Sequence, residues 1–235
     1  TGALLELLDK HGHKDIIDML RILGEENKIE FTGSSKYHAI LPFIEEKDII
    51  RQIKINDETC SFYLGKGYKP RGFFPPEMAF SENIVPIVES LGFEWMILDE
   101  IALNGTPGSV DYSKIYKIKN SKLKVFFRER RLSNLIMSAV VRSPETLGEV
   151  MKEDLKSSKY IVTAMDGETF GHHRPGLEKL LFNIFETPDF NLVTISDLLD
   201  SYHDEVEISP IASTWASSKE DIDRKVQFLS WKDPE

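Results

Sequence analysis

The stretch from Lys159 to Gly176 reads KYIVTAMDGETFGHHRPG, and LEKLLFNIF comes directly after it. Residues 160–165 are a mostly apolar run with β-branched and aromatic members, the composition of a short buried strand. Asp166 closes that run, glycines at 167 and 171 loosen the backbone behind it, and residues 176–185 carry leucine and phenylalanine at helical spacing. The order is strand, loop, helix, and it recurs. Further candidate strands lie at 28–32, 71–74, 95–98, 124–127 and 191–194, and further candidate helices at 14–23, 46–55, 81–91, 131–140, 145–156 and 195–199. Strands separated by helices pair in parallel through crossovers, so the chain reads as α/β. No glycine-rich phosphate loop follows any strand, which favours a barrel over a nucleotide-binding sheet.

Punctuation supports several of these elements. Ser81 is placed to cap a helix and Gly92 to end it. Ser143-Pro144-Glu145 has the form of a cap, a first-turn proline and an acidic first turn. Residues 102–112 and 200–217 read as long loops, and no repeat or charge block stands out.

The chain has 235 residues, 29 basic and 39 acidic side chains and a net charge of −10, with 41% hydrophobic residues. Residues 1–235 therefore read as a single globular domain. The acidic balance leaves no basic stripe for nucleic acid, and the apolar runs are too short and too broken by charge for a membrane span. The lone Cys60 excludes an internal disulfide and a thiolate cluster, and reads as a packing residue. Helical spacing of Leu4, Leu5, Leu7 and Leu8 begins at once, and FLSWKDPE ends without a closing element, so a piece of a longer protein is expected. No signal peptide is visible, and the expected location is cytoplasmic.

Catalytic groups of a parallel barrel sit where strands end. Two strands here end in a carboxylate with unusual neighbours: Glu77 in RGFFPPEMAF, behind a double proline that fixes the backbone, and Asp166 between glycines that allow close approach. An acid at a strand end is commonly a helix cap or a surface charge. Two that face each other with separated pKa values are the equipment for glycosidic cleavage. Asp99, first after the buried run WMIL, is a further candidate to line the cleft, and Arg128 in FFRERRLSNLI is a candidate partner for a carboxylate on that face. His11, His13 and Asp15 form H-x-H-x-D, but between two amphipathic helices, which suits a solvated linker. The adjacent His172 and His173 are expected to diverge. Ser133 and Ser138 have no triad neighbourhood.

The segments FTGSSKYHAILPFI, GFFPPEMAFSENIVPIVESLGFEWMILDE and TAMDGETFGHHRPGLEKLL resemble the catalytic domain of glycoside hydrolase family 57, and IASTWASSKEDIDRKVQFLSWKDPE is similar to the segment on the carboxyl side of that core. The resemblance implies a seven-stranded (β/α) barrel, retaining chemistry on α-glucans, and neither cofactor nor metal. About six of the seven strands are present by this reading. It implies Glu77 as nucleophile and Asp166 as general acid/base. It also implies Glu168 and His172, from D-x-E-x-x-G-H, as sugar-binding residues, His38 at the mouth and Trp215 as a stacking aromatic. The chain departs from the family in two places. The His-Gln-Pro of the first barrel strand is absent, which suggests truncation, and His173 stands where many members have tryptophan.

Retention implies carboxyl groups about 5–5.5 Å apart. His38 is expected to support Glu77, and burial with Glu77's charge to raise Asp166. Two other readings stay open: a metal-dependent polysaccharide deacetylase-like barrel, and a catalytically inactive carbohydrate-binding fragment. An open barrel would expose edges at 28–32 and 191–194, so pairing with a second copy is expected.

Overall fold

The computed structural model describes residues 1–156, 159–188, 190–202 and 204–232. One five-stranded sheet has the order β1-β2-β4-β3-β5, with β1 at Gly72–Phe73, β2 at Trp95–Asp99, β3 at Ile115–Ile118, β4 at Lys124–Arg128 and β5 at Glu205–Ile208. β1, β2 and β4 run parallel, in a register that sets Gly72 opposite Trp95 and Asp99 opposite Arg128. Single parallel bridges extend this row on both sides, from Gly33 to Phe73 and from Arg128 to Val162. That row is the wall of an incomplete (β/α) barrel.

The wall is buried on both faces, as parallel strands are, so its sequence shows continuous apolar runs rather than alternation. Trp95, Met96, Leu98, Val125, Phe126 and Phe127 all belong to one core cluster with Phe73. Gly72 is required by that packing: a Cβ there would lie 2.2 Å from the Trp95 ring. The indole crosses β1 only because no side chain stands in its way.

Nine α-helices are present among the described residues. They are α1 (Gly2–Lys10), α2 (Lys14–Glu25), α3 (Glu46–Leu64), α4 (Ile84–Ser90), α5 (Arg130–Met137), α6 (Pro144–Met151), α7 (Glu178–Glu186), α8 (Ile195–Ser201) and α9 (Lys219–Asp223). Leu5, Ile17, Cys60, Leu64 and Tyr68 join α1, α2 and α3 in a separate apolar cluster, with Cys60 buried as a small packing residue. Ser143 caps α6 in a reciprocal box with Thr146. Gly92, at φ +91, takes the left-handed turn after α4. Ser81 does not cap that helix: its hydroxyl bonds to the Asn83 side chain, and α4 begins at Ile84.

Three of the six expected strands form as ladders, at 71–74, 95–98 and 124–127, and three do not. The stretch 28–32 forms no strand: Lys28 N–H still closes α2 on the Leu23 carbonyl, and the bridge to Phe73 falls one residue beyond, at Gly33. Along 160–165 the backbone is held piecemeal. Tyr160 N–H donates to the Tyr112 carbonyl, Ala164 N–H to the Ser133 hydroxyl, and the Val162 carbonyl accepts from Glu129 N–H. At 191–194 no ladder forms, and Thr194 instead caps α8 in a reciprocal box with Asp197.

Two strands depart from the sequence expectation. β3 makes an antiparallel hairpin with β4 around Asn120, which sits at φ +59. β5 lies within the stretch read as a loop and pairs in parallel with β3.

Candidate active site

β1 ends at Phe73, and Pro75-Pro76 lead into a 3-10 turn over Pro76–Met78. Glu77 and Met78 both have positive φ, +58 and +48. Left-handed backbone at a non-glycine residue costs roughly 1–3 kcal/mol and persists only where the surroundings impose it. Here two neighbours impose it. Trp215 N–H donates to the Glu77 carbonyl at 3.2 Å, and Phe80 and Ser213 exchange both backbone bonds at 2.8 and 3.1 Å. The turn aims a carboxylate that is only 11% exposed. Its Oε1 lies 2.5 Å from His38 Nε2, and its Oε2 accepts from Trp215 Nε1 at 2.6 Å.

His38, itself at φ +55, stands on the segment after the Gly33 bridge. The hydrogen bond to Glu77 raises its pKa, and the charges of Glu77 and Asp166 add to the rise. Asp166 ends the Val162 segment and opens the 3-10 turn Gly167–Thr169. Its carboxyl is raised above the ordinary aspartate value, first by partial desolvation, then by the charge of Glu77 and then by that of Glu168. His173 and His38 pull it the other way. The charge of Glu77 therefore reaches Asp166, together with those of Glu168, His173 and His38.

The remaining expected residues fall into two groups. Glu168 and His172 are exposed on the segment that follows Asp166, and the His172 and His173 ring centres lie 5.2 Å apart, in contact instead of diverging. Asp99 does not line the cleft. Its side chain is 0% exposed and paired with Arg128 at 2.8 Å and Arg130 at 2.7 Å. Arg128 is likewise buried, so neither offers a surface to a sugar. The Asp99–Arg128 pair arises from the register, since the two are opposite each other at the ends of β2 and β4. The Arg128 guanidinium sits 5.7 Å from the centre of the Trp215 ring and occupies part of its surroundings.

Arg130 stands out in the sequence only as one of the three arginines of FFRERRLSNLI, and its role here is what sequence reasoning misses. The available signal is three arginines at a strand-to-helix junction, with a lone aspartate ending the neighbouring strand. Elsewhere, His11 and His13 flank the turn between α1 and α2, with Asp15 in the first turn of α2. Among the described residues, no three or more His, Cys, Asp or Glu side chains are gathered where a metal ion could be held. Ser133 is engaged structurally: its hydroxyl donates to the Glu129 carbonyl and accepts from Ala164 N–H.

The fold is that of an incomplete parallel α/β barrel, in which Glu77 follows β1 and Asp166 follows the segment bridged at Val162. The chain belongs to glycosyl hydrolase family 57, whose model matches residues 1–211. It is 30% identical over 175 residues to alpha-amylase 1 of Dictyoglomus thermophilum, a match covering 73% of this chain and 25% of that protein. It is 26% identical over 233 residues to an alpha-amylase of Pyrococcus horikoshii, covering 93% of this chain and 36% of the relative. The chain thus spans about a third or less of the length of these relatives.

Among solved structures, a 4-alpha-glucanotransferase from Thermococcus litoralis superposes with a TM-score of 0.73 at 20% identity, over 98% of this chain and 38% of that one. A branching enzyme from Thermococcus kodakaraensis, solved with glucose, gives 0.75 at 18% identity, over 98% and 56%. These likenesses establish the barrel fold.

Proposed function

We propose that this chain carries the catalytic acids of a retaining glycoside hydrolase or transglycosylase acting on α-glucans. The observation that carries the reading is the Glu77 carboxylate. It is held by His38 on one oxygen and Trp215 on the other, while its charge helps keep a proton on Asp166. The family membership and the alpha-amylase and glucanotransferase names of the relatives support the substrate class.

Glu77 attacks the anomeric carbon as Asp166 gives its proton to the departing glycosidic oxygen. The C–O bond to the leaving sugar breaks, and an ester between Glu77 and the glycosyl unit forms. Asp166, now a carboxylate, takes a proton from water or from the hydroxyl of an acceptor sugar. That oxygen then displaces Glu77, restoring both acids and the original anomeric configuration. In this reading Glu168 and His172, both exposed on the segment that follows Asp166, contact the sugar hydroxyls.

The test is chemical rescue in the full natural polypeptide. Glu77→Ala loses at least about 10³-fold in kcat on an activated α-maltooligosaccharide. Added azide restores turnover, because azide replaces the missing nucleophile and yields a glycosyl azide of inverted configuration. Asp166→Ala with azide yields the retained azide instead. Normal activity in either alanine variant removes the assignment.

A further inference from the structure

We propose that Arg130 is a positioning residue of this site, setting the Trp215 indole against Glu77 by gripping the Trp215–Ser217 turn from a buried ion pair. The proposal deepens the glycosidase reading and rests on it for the effect on turnover.

Glu77 has two side-chain partners, and one of them, Trp215, sits on a segment outside the helices and strands. Something must fix that segment if the carboxylate is to be held in one orientation. Arg130 does so with all three of its nitrogens. Nε donates to Asp99 Oδ1 at 2.9 Å and Nη2 lies 2.7 Å from the same oxygen. Nη2 also donates to the Trp215 carbonyl at 3.0 Å, and Nη1 to the Ser217 carbonyl at 2.9 Å. One edge of the planar guanidinium faces the acid and the other faces two backbone carbonyls. A lysine ammonium, a single point with three donors, cannot match this arrangement.

The anchor behind it is rigid. Asp99 ends β2 and Arg128 ends β4, so sheet register fixes these two before the loop arrives, and Arg130 follows two residues on as the first residue of α5. Arg128 fixes itself further on the Ala164 carbonyl at 2.7 Å and on Asn134 at 2.8 Å. The continuous path is β2–β4 register, Asp99, Arg130, the Trp215 turn and the Glu77 carboxylate. A displacement of about 1 Å in a reacting group costs on the order of 10²-fold in rate, and Arg130 is the link that prevents it.

Arg130→Lys keeps a charge against Asp99 and gives up the double grip on the turn. Indole N–H resonances of the folded protein in solution read the consequence directly. Trp95, whose indole donates to Ser196 Oγ, serves as the internal control for folding. The expected result is a Trp215 indole signal that shifts and loses exchange protection while the Trp95 signal stays. It is accompanied by a kcat lowered about 10²-fold and a KM changed by less than about threefold. Asp99→Asn, an isosteric change that loosens both arginines, gives the same shift by a second route should the lysine variant fail to fold. An unmoved Trp215 signal in a folded variant overturns the proposal, even if turnover falls. If the wild-type protein cleaves no α-glucan yet the signal moves, the positioning stands and the glycosidase reading is what fails.

Discussion

The Trp215 indole donates to Glu77 Oε2 at 2.6 Å across 138 positions of chain, and the Trp215 backbone N–H donates to the Glu77 carbonyl at 3.2 Å. The same residue therefore orients the carboxylate and secures the left-handed turn that carries it. A hydrogen bond to a charged acceptor is worth about 1.5–3 kcal/mol. Trp215→Phe, which keeps the aromatic bulk and removes the donor, is expected to lower kcat by roughly 10- to 10²-fold. Initial rates on an activated α-maltooligosaccharide check this, and an unchanged kcat would show that the indole bond does not matter in the transition state.

The acid pair predicts a pH dependence of definite sign. On the proposed mechanism Asp166 acts first in its protonated form, so activity is expected to fall as pH rises through its raised pKa. Glu168 is one of the charges that raise it. Glu168→Gln removes that charge, so the alkaline limb of kcat/KM moves to lower pH. A limb that stays in place or moves upward would mean that another group sets it.

How much of this is readable in the sequence depends on how local each signal is. Glu77 and Asp166 stand out because their cues are neighbours in the chain: two prolines before one, glycines around the other. The core strands 95–98 and 124–127 are legible because burial on both faces leaves an unbroken apolar run. β5, by contrast, reads EVEI with acids on alternate positions, and only its ladder with β3 makes it a strand. The Asn120 turn of the β3–β4 hairpin is a local cue, but a single asparagine is a weak one. Asp99 reads as a cleft residue because strand ends usually face the cleft. Its burial is decided by Arg128 and Arg130, 29 and 31 residues away, and no periodicity encodes that.

His38 couples the site to stability. Its folded pKa is raised, chiefly by the Glu77 hydrogen bond. A raised base contributes stability that is fully present below the ordinary histidine pKa of about 6.5. That contribution disappears as pH rises through the folded value. The difference in melting temperature between the protein and its His38→Gln variant should therefore be largest in acid and close in alkali. A gap independent of pH would show that the contact acts by packing and not by charge.

Packing at β1 gives a prediction with no electrostatics in it. A Cβ at position 72 would lie 2.2 Å from the Trp95 ring, and Trp95 is held in turn by Phe126, at 5.9 Å between ring centres. The ring has nowhere to yield, so Gly72→Ala is expected to destabilise the fold by about 1–3 kcal/mol. Urea unfolding measures it. A neutral effect would mean that the barrel wall relaxes more readily than its burial suggests.

The ion pair at the strand ends should be far more sensitive to losing one partner than its value as a contact implies. Asp99 is fully buried and satisfies two guanidinium groups together with Ile101 N–H at 3.1 Å. Asp99→Ala leaves Arg128 and Arg130 crowded together without the counter-charge, and removing one side of a buried pair typically costs about 3–5 kcal/mol. Substituting an apolar pair at 99 and 128 would avoid the stranded charge between those two residues, but Arg130 would still lack its acid and the Trp215 turn its anchor. The double variant should therefore recover stability relative to Asp99→Ala without recovering turnover. Denaturant unfolding and kcat measured side by side separate the two effects, and recovery of both would show that the arginines serve the fold alone.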